Sequence, residues 1–179
     1  MSPAMSKENP GRRRVEQILG PEFGSSVDGL PLEEARARRD ECLAEREYLS
    51  YLRRMLHARL EILRAEVKAR AEGEETPLVD RLPAILGADM PFGPSRGEAL
   101  RLGLPEGELE EARRRVEGLL GPAAFSDIAS QSDEQLRDAI ESLEGEERRV
   151  SDARRAVMDL QDRFQAEVKA RYKEKLSSS

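Results

Sequence analysis

Leu136, Leu143, Val150, Val157 and Phe164 stand seven residues apart, and Ile140, Leu160 and Val168 fill the intermediate turns. A heptad of this kind forms one apolar seam along a helix, and a strand, whose side chains alternate with period two, cannot collect it on one face. Ser132 with Gln135 three residues later is a capping-box pattern, so this helix is expected to span residues 132–175. Gly145 sits inside it, costs about 1 kcal/mol relative to alanine, and marks a candidate bend. A seam of this length requires a partner helix.

The partner is upstream. Leu49, Leu52, Leu56, Leu60, Leu63 and Val67 follow one another at steps of three and four, placing an apolar stripe on a helix over residues 31–71. Asp28 is a candidate cap, Glu33 and Glu34 suit the first turn, and Gly73 follows as a stop. At roughly 1.5 Å per residue this helix is about 60 Å long. Residues 72–131 form a connector holding most of the prolines and glycines. Within it, Thr76-Pro77-Leu78-Val79-Asp80 opens a short helix ending near Gly87, residues 90–103 read as loop, and Leu104-Pro105 begins another helix through Leu120. Residues 1–29, rich in Pro, Gly, Ser and charge, read as a mostly flexible arm ahead of a hairpin domain over residues 30–176. The expected fold is all-α: two long helices in an antiparallel coiled-coil hairpin, with short helices between them.

Composition agrees with narrow seams rather than a deep core. Charged residues make up 37% of the chain and there are four Phe, three Tyr and no Trp, too few aromatics for a pocketed globular interior. A net charge of −6 disfavours nonspecific binding to nucleic acid or an anionic membrane and suits a basic protein partner. Cys42 is the single cysteine, so no intrachain disulfide or thiolate zinc site is expected, and its place in an apolar helical pattern suits a small buried side chain. The first eleven residues hold no apolar core of a signal peptide and no run reaches membrane-spanning length, so the chain reads as soluble and cytoplasmic.

Both long helices also carry a polar stripe beside the seam. It reads Ser50-x2-Arg53-x3-His57-x3-Glu61 on the first and Glu147-x3-Ser151-x2-Arg154-x3-Met158-x3-Asp162 on the second. Steps of three and four keep each set on one side of its helix. Arginine can donate two parallel bonds to guanine O6 and N7, a carboxylate can accept from guanine N1–H and N2–H, and serine can donate to a phosphate. The set therefore meets the demands of a guanine nucleotide, although charges flanking a seam serve equally as partner-selecting ion pairs. His57 is the only histidine, without a cysteine or second histidine nearby, so neither a metal site nor catalysis is expected.

The run Ser50-Tyr51-Leu52-Arg53-Arg54-Met55-Leu56-His57, continuing through Glu61 to Glu66, resembles the first motif helix of actinobacterial RsiG-type anti-sigma factors. Glu147-Arg148-Arg149-Val150-Ser151 through Asp162 resembles the second, and Leu78-Val79-Asp80-Arg81-Leu82-Pro83 and residues 132–143 also resemble the family. Its pattern is E-x3-S-x2-R-x3-Q-x3-D on each helix of an antiparallel coiled coil. The resemblance implies that an intercalated pair of cyclic di-GMP molecules binds along the two stripes. It further implies that the loaded protein sequesters a sigma factor of WhiG or flagellar type, without itself binding DNA. Glu147, Ser151, Arg154 and Asp162 match the pattern and Met158 replaces glutamine. On the first helix Ser50 and Arg53 match, Glu61 stands for aspartate, His57 replaces glutamine and Arg46 replaces the leading glutamate. An arginine accepts no hydrogen bond, so a carboxylate there must come from Glu45 or Glu47. Two other readings stand beside this one: a ligand-independent anti-sigma factor with a degenerate site, and a plain coiled-coil scaffold.

Overall fold

The computed structural model describes residues 10–88, 104–120 and 125–177, and among these it is all-helical, with no strand. The elements are α1 (Pro10–Ile18), α2 (Pro21–Gly24), α3 (Leu32–Glu72), α4 (Leu78–Ala88), α5 (Glu106–Leu119), a 3-10 turn (Phe125–Ser130) and α6 (Asp133–Ser177). The loop read over residues 90–103 lies outside the described residues. The chain divides into two compact units, residues 1–49 with 152–179, and residues 50–151, so α3 and α6 each contribute to both.

The helix ends follow local chemistry. Gly73 takes a left-handed φ of +69°, its N–H bonds to Arg70 O, and Glu74 N–H bonds to Ala69 O at 2.9 Å, a Schellman stop for α3. At the start of α6, Gln135 N–H donates to Ser132 Oγ at 3.2 Å while Ser132 N–H donates to Gln135 Oε1 at 2.9 Å, the reciprocal capping box. At the start of α3 the expected cap is replaced: the helix begins at Leu32, and Pro31 O accepts from Ala35 N–H at 2.9 Å, leaving Asp28 outside the first turn.

In the unit of residues 1–49 and 152–179, the stretch read as an arm holds α1 and α2. Ile18, Val27 and Leu30 are buried there together with Cys42, Tyr48, Val157, Phe164 and Val168. Phe23 meets Phe164 edge to face at 5.7 Å between centroids, a geometry the ring quadrupoles favour. Polar contacts hold the same segment down: Arg38 donates to Phe23 O at 2.7 Å, and Gly29 N–H donates to Glu167 Oε1 at 3.2 Å. A Cβ at Gly24 would come within 3.2 Å of Leu160 Cδ1, so α2 approaches α6 closely there and a larger residue would require the leucine side chain to shift.

In the unit of residues 50–151, Leu52, Leu56, Leu60, Ile62 and Leu63 of α3 are buried, as are Ala112 and Val116 of α5 and Leu136, Leu143 and Val150 of α6. The seam of α6 is where the heptad puts it, apart from Ile140, which is half-buried. The α3 stripe departs at its end: Val67 is half-buried and Glu66, one residue earlier, takes the inward position. Glu66 accepts from Arg70 Nε at 2.9 Å and from Arg81 Nη2 at 2.5 Å. Arg81 reaches on to Thr76 O and Ala65 O, at 3.0 and 3.2 Å, and thereby ties α4 to α3. Arg70 donates to Gln131 O at 2.6 Å, Ile128 O at 3.0 Å and Asp133 Oδ1 at 3.0 Å, securing the 3-10 turn and the start of α6. Helix α5 is held by Arg115, which bonds the buried Glu146 through Nε at 2.7 Å.

Candidate ligand-binding site

Continuous helix over residues 50–61 keeps Ser50, Arg53, His57 and Glu61 on one side of α3, and Leu52, Leu56 and Leu60 beside them set the inward face. Glu147 and Ser151 flank buried Val150 on α6 in the same way. Within the unit of residues 50–151 the two sets meet. Arg53 Nε lies 3.1 Å from Glu147 Oε1 and 2.9 Å from Ser151 Oγ. Ser151 Oγ donates to the same Glu147 oxygen at 2.7 Å, and His57 Nε2 stands 3.0 Å from it. A carboxylate only accepts, so His57 Nε2 carries the proton in this contact.

One carboxylate oxygen thus gathers three donors. Burial works to push the Glu147 carboxyl up, but the hydrogen bonds from Ser151, His57 and Arg53, with the charge of His57, outweigh it and hold Glu147 below the ordinary carboxylate range. Arg53 and His57 are only half-shielded, at 43% and 46% side-chain exposure, against 19% for Glu147. The acidic member is therefore the sheltered one, and Arg53 has further donors to present outward. Such a surface can exchange an internal carboxylate for a guanine edge or a phosphate without opening the apolar seam.

The remaining stripe residues are placed as follows. Ser50 is half-buried, and Glu61 accepts a 3.3 Å bond from Arg64, which also bonds Glu144 at 2.8 Å. Arg154 and Met158 are half-buried and Asp162 is exposed, all three on α6 within the unit of residues 1–49 and 152–179. In that unit Arg46 bonds Glu47 at 2.7 Å, and Glu45, one of the two carboxylates expected to replace the missing leading glutamate, is fully buried with Arg14 as its ion-pair partner. Glu45 is thus a core residue and not a surface contact. Sequence reading did not anticipate the Glu66–Arg70–Arg81 network. The signal for it was that Glu66, three residues after Leu63, competes with Val67, four residues after it, for the next position on the seam.

Among the described residues the fold and the cluster define a class, an all-helical protein with a polar stripe beside an apolar seam. Residues 21–86 match the family model described as RsiG-like, so that stretch of the chain is similar to the family its motifs resemble. RsiG-type proteins are anti-sigma regulators and are not a known enzyme family. No curated protein matches the chain. Among the described residues no helix is long and apolar enough to cross a membrane, and no group of three or more His, Cys, Asp or Glu is arranged to hold a metal ion.

Proposed function

We propose that this chain sequesters a sigma factor of WhiG or flagellar type, with cyclic di-GMP held along the stripes of α3 and α6. The long helices pair in this reading as an antiparallel hairpin. Contacts within residues 50–151 support the direction, since Arg53 meets Glu147, Arg64 meets Glu144 and Arg70 meets Asp133, positions rising on α3 as they fall on α6. The observation that carries the ligand reading is the convergence of Arg53, His57, Glu147 and Ser151, a guanidinium, an imidazole, a carboxylate and a hydroxyl, on a single point. Arg154, Met158 and Asp162 extend the stripe by helix register, and Ser50 and Glu61 bound it on α3. The ligand takes Arg53 and Glu147 out of their mutual contact, and the sigma factor covers the loaded surface. By linkage, a ligand that binds the sigma-bound form more tightly raises sigma affinity by the same factor.

The Arg53–Glu147 contact also favours a second reading, in which the stripe is an internal ion pair and the chain binds the sigma factor without ligand. Calorimetry with cyclic di-GMP, with and without the sigma factor, separates the two. Binding heat that disappears in Arg154→Ala at unchanged helicity is the expected result. Sigma binding without any ligand heat in either titration refutes the cyclic di-GMP site, and no sigma binding at all leaves only a helical scaffold.

A further inference from the structure

Helix α4 is built the wrong way round for a surface helix. Of its described apolar side chains none is fully buried, and its polar contact inward is made by Arg81, 13% exposed, through Glu66, Ala65 O and Thr76 O, with Leu78 and Ile85 half-buried on the same side. Advancing 100° per residue, Val79, Leu82, Pro83 and Leu86 fall together on the side opposite Arg81. Val79 is 73% exposed, Pro83 is exposed, and Leu82 and Leu86 are half-buried. An apolar stripe with Val79 and Pro83 open to water and Leu82 and Leu86 half-covered beside them marks an interaction surface. The polar anchor explains how the stripe is held outward: α4 is fixed by hydrogen bonds, so its apolar face is not consumed in the core.

The surroundings state the partner's chemistry. Over residues 72–81 the sequence carries Glu72, Glu74, Glu75 and Asp80, all exposed, against one cation, Arg81, which is turned inward. A second copy of the chain seated symmetrically on this face would bring the carboxylate rims together, which opposes self-association. A basic amphipathic helix would bury its apolar side on Val79, Pro83 and Leu86 and set its cations against the rim. Segments of that composition are those a DNA-binding protein lays against phosphate. Resting on the anti-sigma reading above, we propose that α4 docks a basic, DNA-contacting helix of the sigma factor, so that the chain covers the surface that would otherwise meet the promoter.

The test uses the full chain with a WhiG-type sigma factor as probe and cyclic di-GMP present throughout, read by biolayer interferometry at low and physiological salt. Val79→Lys puts a cation where a basic helix must sit and is expected to weaken binding by about tenfold or more. Val79→Leu keeps the stripe and is expected to stay within about twofold. Unaltered protein should lose affinity as salt rises. Because Val79 is so exposed, both variants should melt with the unaltered protein, which separates docking from folding. Equal binding by Val79→Lys and unaltered protein overturns the α4 assignment and leaves the anti-sigma reading standing. No sigma binding by unaltered protein overturns both. A chain that dimerises alone, and that Val79→Lys returns to monomer in sedimentation, makes a second copy the occupant and overturns the basic-helix assignment.

Discussion

Replacing Glu66 with alanine tests whether the polar network, rather than apolar packing alone, holds the connector to the long helices. Glu66 is 10% exposed, Arg81 13% and Arg70 24%, so the pairs are shielded from water and salt. Removing one partner of a buried ion pair costs about 3–5 kcal/mol, because the remaining charge is left uncompensated. Here Arg81 keeps Thr76 O and Ala65 O and Arg70 keeps Asp133, which moves the expectation to about 3 kcal/mol. At about 2–4 °C per kcal/mol for a chain of this size, melting should fall by about 6–12 °C. Burial pushes the Glu66 carboxyl up, and the hydrogen bonds from Arg70 and Arg81 outweigh it, so its folded pKa lies below the ordinary value. A depressed carboxylate contributes stability that is complete above the unfolded pKa and is lost as pH falls through the folded one. The gap between unaltered protein and Glu66→Ala should therefore be full at about pH 7 and shrink below about pH 4, where the carboxylate is protonated. Urea unfolding across that range measures it without adding salt, and a cycle with Arg81→Ala should show strong coupling. A loss under about 1 kcal/mol at neutral pH, or a gap that does not narrow in acid, refutes the reasoning.

Two further outcomes are expected. Gly145 lies in unbroken α6, and a Cβ there would meet nothing nearer than Arg148 Nη2 at 4.0 Å, so Gly145→Ala should stabilise by about 1 kcal/mol, read as a raised melting temperature. A fall instead would mean that the glycine answers a bend. Burial, with the nearby carboxylates of Glu41 and Glu45, pushes the Cys42 thiol up to about 11, so an aromatic disulfide reagent at about pH 8 should leave it unmodified in the folded protein and label it fully in urea; rapid labelling of the native chain would contradict its place in the core.

The long helices were legible because their signals are local and repeated. The seam from Leu136 to Val168, the capping box at Ser132 and the stop at Gly73 are each written within a few residues, and the structure puts α3 and α6 within two residues of the expected ends. The N-terminal stretch was less legible because Val15, Ile18 and Leu19 make too short a pattern to specify a helix without the surface it meets. There Ile18 is buried, and Phe23 makes its edge-to-face contact with Phe164, more than a hundred residues away in sequence. Glu45 and Glu66 illustrate the same limit for charge. Each falls beside apolar positions, and an arginine brought in by the fold, Arg14 for one and Arg70 with Arg81 for the other, helps make an inward carboxylate stable. In the candidate site, the stripes were visible as spacing, whereas the convergence of Arg53, His57 and Ser151 on one oxygen of Glu147 is a property of how two helices register.

Arg70 has a consequence for the order in which the chain can assemble. Ile128 O accepts from Gln131 N–H within the turn leading into α6 at 3.2 Å, but its second donor, and the side-chain donor of Gln131 O, come from Arg70, 58 and 61 residues earlier in sequence. The capping box at Ser132 can form by itself, so the first turn of α6 is available early. The turn before it matures only when a long loop has been drawn round, and the entropy of that closure falls on the folding step. The 3-10 turn is thus a late-locking element, and its hydrogen bonds to Arg70 report when the end of α3 and the start of α6 have come together.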